Sequence, residues 1–149
     1  MTRDPQAEKF RDIEQILQNE KMKEMANLVR ICRLRDLKAE SLQRISKYRC
    51  DYENDNVAKL SKTIPALMIN MIDFLHKLDV SIKEEAVNLD KFNKEMNEII
   101  KRMSVLDMKI KAINIKIADI EKKHRINAEN REASLIEEMA TLSKLRQIS

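Results

Sequence analysis

The sequence predicts an all-α protein, a long antiparallel two-helix coiled coil in which the second helix is the longer one. First, apolar residues recur at alternating steps of three and four from Met68 to Ile120, with Glu85 as the single exception. A seven-residue repeat of this length requires a partner helix along it. Second, the chain is 36% charged, contains no Gly and has 3% aromatic residues, which is typical of solvated helices. Third, one proline interrupts the helical pattern. The repeat comprises Met68, Met71, Leu75, Leu78, Ile82, Glu85, Leu89, Phe92, Met96, Ile99, Met103, Leu106, Ile110, Ile113, Ile117 and Ile120.

The first helix is predicted over about residues 5–53. Asp4 is suited to cap it and Pro5 to occupy its first turn. Its apolar stripe is looser than that of the second helix, and the spacing slips over residues 19–24, which predicts a stutter or a frayed start. The stripe comprises Phe10, Ile13, Leu17, Met25, Leu28, Ile31, Cys32, Leu42, Ile45, Tyr48 and Tyr52.

A turn is predicted over about residues 54–64, because the Asn- and Asp-rich run that begins it weakens helix propensity and Pro65 excludes Ile64 from a helix. The second helix is predicted over about 65–145. A connection this short favours antiparallel packing, so residues 1–149 are expected to form a single α-helical hairpin. Past Ile120 the repeat fails, since His124, Asn127 and Arg131 take the next apolar positions. The end of the second helix is therefore expected to overhang.

Neither an enzyme nor a cofactor or metal site is expected. His76 and His124 are separated by roughly 70 Å along one straight helix and cannot share a site. Cys32 and Cys50 are too far apart on one helix to form a disulfide, so reduced thiols and a cytoplasmic location are expected. The chain shows no signal-peptide pattern and no apolar run of transmembrane length.

Positive charge is concentrated between Met22 and Arg49, where eight Lys and Arg stand against three Asp and Glu, a local net charge of +5. Such a stripe could face an acidic protein, nucleic acid or simply water. Nucleic-acid binding is disfavoured, because no aromatic side chains are interleaved with the charges.

Three aromatic residues are predicted to meet near the turn. Tyr48 and Tyr52 are one helical turn apart on the first helix, and Phe74 lies beside the repeat of the second. Phe74 and Glu85 share one stripe, which favours a docking surface. In the alternative interpretation, Phe74 shields the repeat and Glu85 pairs with a lysine.

Three segments of this chain resemble the FliJ family, whose injectisome counterparts are called SctO or YscO. They are YRCDY at residues 48–52, FLHKLDVSI at 74–82 and NREASLIEEM at 130–139. The resemblance covers nearly the whole chain in length and helix order, and it lies in the order and spacing of motifs that are individually unspecific.

The resemblance implies a cytoplasmic stalk of a type III protein export apparatus, peripheral to the membrane. The termini end would insert into the hexameric export ATPase, and the middle and turn would contact the cytoplasmic domain of the export-gate membrane protein. Export chaperones are further implied partners. The gate-binding residues would be Ser41, Ile45, Tyr48, Tyr52, Phe74, Leu78, Ser81 and Glu85, of which Ser81 and Glu85 depart from the family pattern. From their location, the ATPase-binding residues would be Leu28, Arg30, Arg33, Asn130, Arg131, Leu135 and Met139.

Two other classes of function stay open at this point. One is a generic coiled-coil tether or scaffold that forms homo-oligomers, and the other is a basic helical nucleic-acid binder. The residues do not separate a flagellar from an injectisome apparatus.

Overall fold

The computed structural model describes residues 4–60 and 64–148, apart from the side chains of residues 57, 58 and 60. The described residues form two α-helices, α1 (Pro5–Leu60) and the longer α2 (Pro65–Ile148), which pack against each other as in an α-helical hairpin. The predicted all-α class is confirmed. Contacts divide the chain into unit 1, Met1–Met22 with Ser104–Ser149, and unit 2, Lys23–Met103.

Both helix starts follow the sequence signals. The Asp4 carboxylate accepts a hydrogen bond of 2.8 Å from the backbone N–H of Gln6, so Asp4 caps α1 as predicted. Ile64 is non-helical and precedes Pro65 at the start of α2. Its carbonyl oxygen accepts the first backbone hydrogen bonds of that helix, from Leu67 and Met68.

The predicted end of α1 at residue 53 is wrong, because the helix continues to Leu60. Asn and Asp lower helix propensity by only about 0.7 kcal/mol each, so a packed helix can extend through them. Here the side-chain amide of Asn56 donates to the carbonyl oxygen of Tyr52 at 2.6 Å, and both residues are partly buried. Of the predicted turn, residues 61–63 lie outside the described residues. At the other end, α2 extends to Ile148 rather than 145.

The heptad repeat of α2 is the face that packs on α1. Every one of its sixteen predicted positions is buried or partly buried, and Ile99 in unit 2 is only 1% exposed. In unit 1 the buried members are Leu106, Ile110, Ile117 and Ile120. We call this face the α2 seam.

α1 presents a matching seam without the predicted stutter. Its buried and partly buried positions follow the same steps of three and four through residues 19–24, where Lys21 and Glu24 occupy the seam. The sequence appeared to slip there because polar residues replace apolar ones, whereas Met25 is 48% exposed. In unit 1 the α1 seam comprises Ala7, Phe10, Glu14, Leu17 and Lys21. In unit 2 it comprises Glu24, Leu28, Ile31, Arg35, Lys38, Leu42, Ile45, Arg49, Tyr52 and Asn56.

The two helices run antiparallel within each unit. In unit 2, Glu24 pairs with Arg102 and Arg49 with Asp79, so rising numbers on α1 meet falling numbers on α2. Unit 1 shows the same order in the pair of Lys21 with Asp107, 2.6 Å apart, and in that of Arg11 with Glu121.

The end of α2 has no buried surface. All residues from Glu121 to Ile148 are exposed, which confirms the predicted loss of the seam past Ile120. Among the residues that the structure describes, neither helix holds a stretch apolar and long enough to cross a bilayer.

Replacing Ile99 with Ala is expected to lower the free energy of unfolding by about 2–4 kcal/mol, because the truncation leaves a cavity in the seam. Urea unfolding monitored by circular dichroism measures this change. Ile100→Ala is the matched control, since its side chain is 49% exposed and makes little use of the seam. Equal losses for the two variants would contradict the orientation of α2.

Candidate functional site

The aromatic residues predicted to meet near the turn form one cluster in unit 2. The rings of Tyr52 and Phe74 contact edge to face with centroids 4.8 Å apart. Tyr48 lies 6.4 Å from each of them, stacked on Tyr52 and edge-on to Phe74. Such aromatic pairs add about 0.5–1.5 kcal/mol beyond their buried area. We call Tyr48, Tyr52 and Phe74 the aromatic cluster.

The aromatic cluster is only partly covered. Tyr48 is 55% exposed and Phe74 is 36% exposed, while Tyr52 lies in the α1 seam. Beside the cluster is a shallow depression at the turn end of unit 2, lined by side chains that include Asn56, Leu67 and Asn70. The cluster therefore both closes the seam and presents aromatic surface to a partner, so each interpretation of Phe74 holds in part.

Most of the other predicted gate-binding residues are less accessible than the sequence suggested. Ile45 and Leu78 belong to the two seams and pack between the helices. Ser41, Ser81 and Glu85 are partly buried. The accessible part of the predicted face is therefore the aromatic cluster.

Glu85, the one charged residue in the α2 seam, pairs with Lys38 of α1. The Lys38 ammonium donates to Oε1 of Glu85 at 3.1 Å and lies 2.9 Å from Oε2. Oε2 is itself buried and outside hydrogen-bond geometry with the described residues, so its contact with Lys38 is Coulombic. The alternative interpretation, in which Glu85 pairs with a lysine, is confirmed.

An ion-pair network adjoins the aromatic cluster and was missed from the sequence. The Arg49 guanidinium donates to Asp79 at 2.7 Å across the two helices and also pairs with Glu53 on its own helix. The hydrogen bond from Arg49 lowers the pKa of Asp79 below its ordinary value; partial desolvation opposes this, and the nearby charges of Arg49, His76 and Lys83 reinforce it. The signal was present, since Arg49 follows Leu42 and Ile45 at heptad spacing.

The predicted ATPase-binding residues fall in different units and differ in exposure. In unit 2, Arg30 and Arg33 are exposed, whereas Leu28 is a partly buried residue of the α1 seam and offers little free surface. In unit 1, Asn130, Arg131, Leu135 and Met139 are all exposed on the end of α2.

The exposed end of α2, defined as residues 121–148, carries an apolar stripe. Leu135, Met139, Leu142 and Leu145 follow helical spacing and are 58–69% exposed. The side chains of Asn130, Arg131, Ser134, Leu135 and Glu138 border a shallow groove along it. An apolar stripe left open on one helix is the usual form of a helix-binding surface.

No three His, Cys, Asp or Glu side chains within residues 4–60 and 64–148 lie close enough to hold a metal ion together. Cys32 and Cys50 are free thiols. The arrangement offers protein-binding surfaces, and its ionisable groups are engaged chiefly in ion pairs between and along the helices.

Comparison with known proteins adds no relative: no family model, no curated protein and no solved structure matches the chain.

Arg49→Gln is expected to return the pKa of Asp79 toward its ordinary value, because the hydrogen bond from Arg49 is the main cause of the lowered pKa. The pKa is measured by carboxyl-carbon NMR titration. Since the folded-state pKa is lower than that of the unfolded chain, Asp79 stabilises the fold above its ordinary pKa and loses this effect as pH falls through the folded-state pKa. The stability difference between wild type and Arg49→Gln should therefore be larger at neutral pH than in acid.

Arg44→Gln is the control for this titration, because Arg44 pairs with Glu40 on the exposed face of the same helix. It should leave the pKa of Asp79 unchanged. An unshifted pKa of Asp79 in Arg49→Gln would contradict the network.

Proposed function

We propose that this chain is a non-enzymatic stalk and adaptor of a type III protein export apparatus in the cytoplasm. In this role the exposed end of α2 binds the hexameric export ATPase, and the aromatic cluster binds the cytoplasmic domain of the export-gate membrane protein. The sequence resemblance to the FliJ family suggests the partners. Export chaperones are further candidates.

The observation that carries the proposal is the exposure of α2 from Glu121 to Ile148. An isolated helix gains little stability from propensity alone, so helical stability generally comes from packing an apolar face. A long helix that displays Leu135, Met139 and Leu142 to solvent is therefore built to pack on another protein.

The aromatic cluster supports the second contact. Its ring contacts hold Tyr48 and Phe74 in fixed positions while leaving part of each ring exposed. Aromatic side chains that are ordered before binding lose little conformational entropy on association, and they are common anchors of protein interfaces. Two separate surfaces on one chain suit an adaptor that bridges two partners.

Truncation after Ile120 is expected to abolish stimulation of the export ATPase while binding to the gate protein stays within about twofold of the full chain. The removed residues are exposed, so the remaining helices should keep their melting temperature to within a few degrees. ATP hydrolysis and calorimetric binding measure the two effects. Unchanged ATPase stimulation would refute the assignment of the exposed end of α2.

The double variant Phe74→Ala, Leu78→Ala is expected to weaken binding to the gate protein by about tenfold or more, because it removes an aromatic anchor and its support. ATPase stimulation should persist. Ile72→Ala, Val80→Ala is the matched control, since both side chains are exposed outside the aromatic cluster. If the Phe74 and Leu78 variant loses its helicity instead, these residues serve the core and the docking role fails.

A further inference from the structure

A second apolar stripe lies on α2 of unit 1, away from the seam. Val105, Met108, Ala112 and Ile115 follow steps of three, four and three, and all four are exposed. Val105 is 50%, Met108 68% and Ile115 63% exposed. At 100° per residue this stripe faces roughly 150° away from the seam residues of the same segment. Packing on α1 therefore does not explain it.

Lysines border the stripe on both sides. Lys109 and Lys116 flank it on one side and Lys111 on the other, and all three are exposed. We define the three as the lysine rim.

The carboxylates near the rim are already engaged. Asp107 pairs with Lys21 at 2.6 Å and Asp119 with Lys123 at 3.2 Å, while Glu121 pairs with Arg11. Within the described part of unit 1, none of the three rim lysines has an ion-pair partner. The rim is therefore an uncompensated positive border around an apolar stripe.

An acidic amphipathic helix is the occupant that this chemistry fits. Two apolar positions per heptad form the narrow contact of a helix–helix seam, and charged residues at the flanking positions select the partner. A membrane-surface helix instead has a broad apolar face that usually includes Trp or Phe, and neither occurs here. Pairing the same face of two copies would set one lysine rim against another.

We propose that Val105, Met108, Ala112 and Ile115, with the lysine rim, form a docking site for an acidic amphipathic helix of a partner protein. The site is distinct from the aromatic cluster and from the exposed end of α2, and it does not require the export role.

The test uses the full chain and two fluorescent synthetic helical peptides of about 20 residues, long enough to form a helix. Both carry Leu at the a and d heptad positions, and one has Glu and the other Lys at the flanking positions. Fluorescence anisotropy at about 150 mM salt should show binding of the Glu peptide and not of the Lys peptide.

Lys109→Glu, Lys116→Glu should reduce affinity for the Glu peptide by about tenfold or more and create binding of the Lys peptide. Lys91→Glu, Lys144→Glu changes the net charge equally but lies outside the rim, and it should keep affinity within about twofold. Met108→Ser, Ile115→Ser should also weaken the Glu peptide, because it removes the apolar contact. The altered side chains are exposed, and circular dichroism verifies that each variant stays helical.

Three results would overturn the proposal. Equal weakening by the rim variant and its charge-matched control would mean that net charge alone attracts the peptide. Binding to vesicles of anionic lipid that requires the rim, without peptide binding, would assign the face to a membrane. A homodimer in light scattering that Lys109→Glu, Lys116→Glu dissociates would assign it to a second copy of the chain.

Discussion

Burial of the α2 seam against α1 is the interaction on which the rest of the structure depends. A two-helix arrangement buries only one narrow face of each helix, so removing apolar area from water must be concentrated at those positions. Ile31 and Ile99 are the largest fully buried side chains described. The remaining faces of both helices are then free for other contacts, and every candidate surface described above is defined by its position relative to the seam.

The two seams differ in chemistry, and this difference shapes the protein. The α2 seam is apolar at every position except Glu85, whereas the α1 seam admits charged residues such as Lys21, Glu24 and Arg49. Their long side chains can cover apolar surface with their stems while their charged ends reach acidic or basic partners on α2. Partly exposed ion pairs contribute little to stability, about 0–1 kcal/mol each. Their value lies in register, because a shifted alignment would separate the charges that now meet.

The candidate surfaces are the places where this economy of burial leaves apolar side chains uncovered. The aromatic cluster in unit 2 shares its rings between the seam and solvent. In unit 1, the exposed end of α2 and the stripe from Val105 to Ile115 leave apolar residues open on a helix. Exposed apolar surface on a highly charged chain costs solubility, which makes contact with other proteins the simplest physical reason for its presence.

The sequence alone determined the helical class, the antiparallel order, the seam of α2 and the capping of α1 by Asp4, because each follows from local spacing and backbone chemistry. It also located the aromatic cluster and the loss of the seam past Ile120. Only the tertiary structure decided the register of α1, since Lys21 and Glu24 look like a break until Asp107 and Arg102 are seen opposite them. The same holds for the end of α1, where packing overrides weak helix propensity, and for the lysine rim. A charge pattern becomes a site only when the contacts show which carboxylates are already paired.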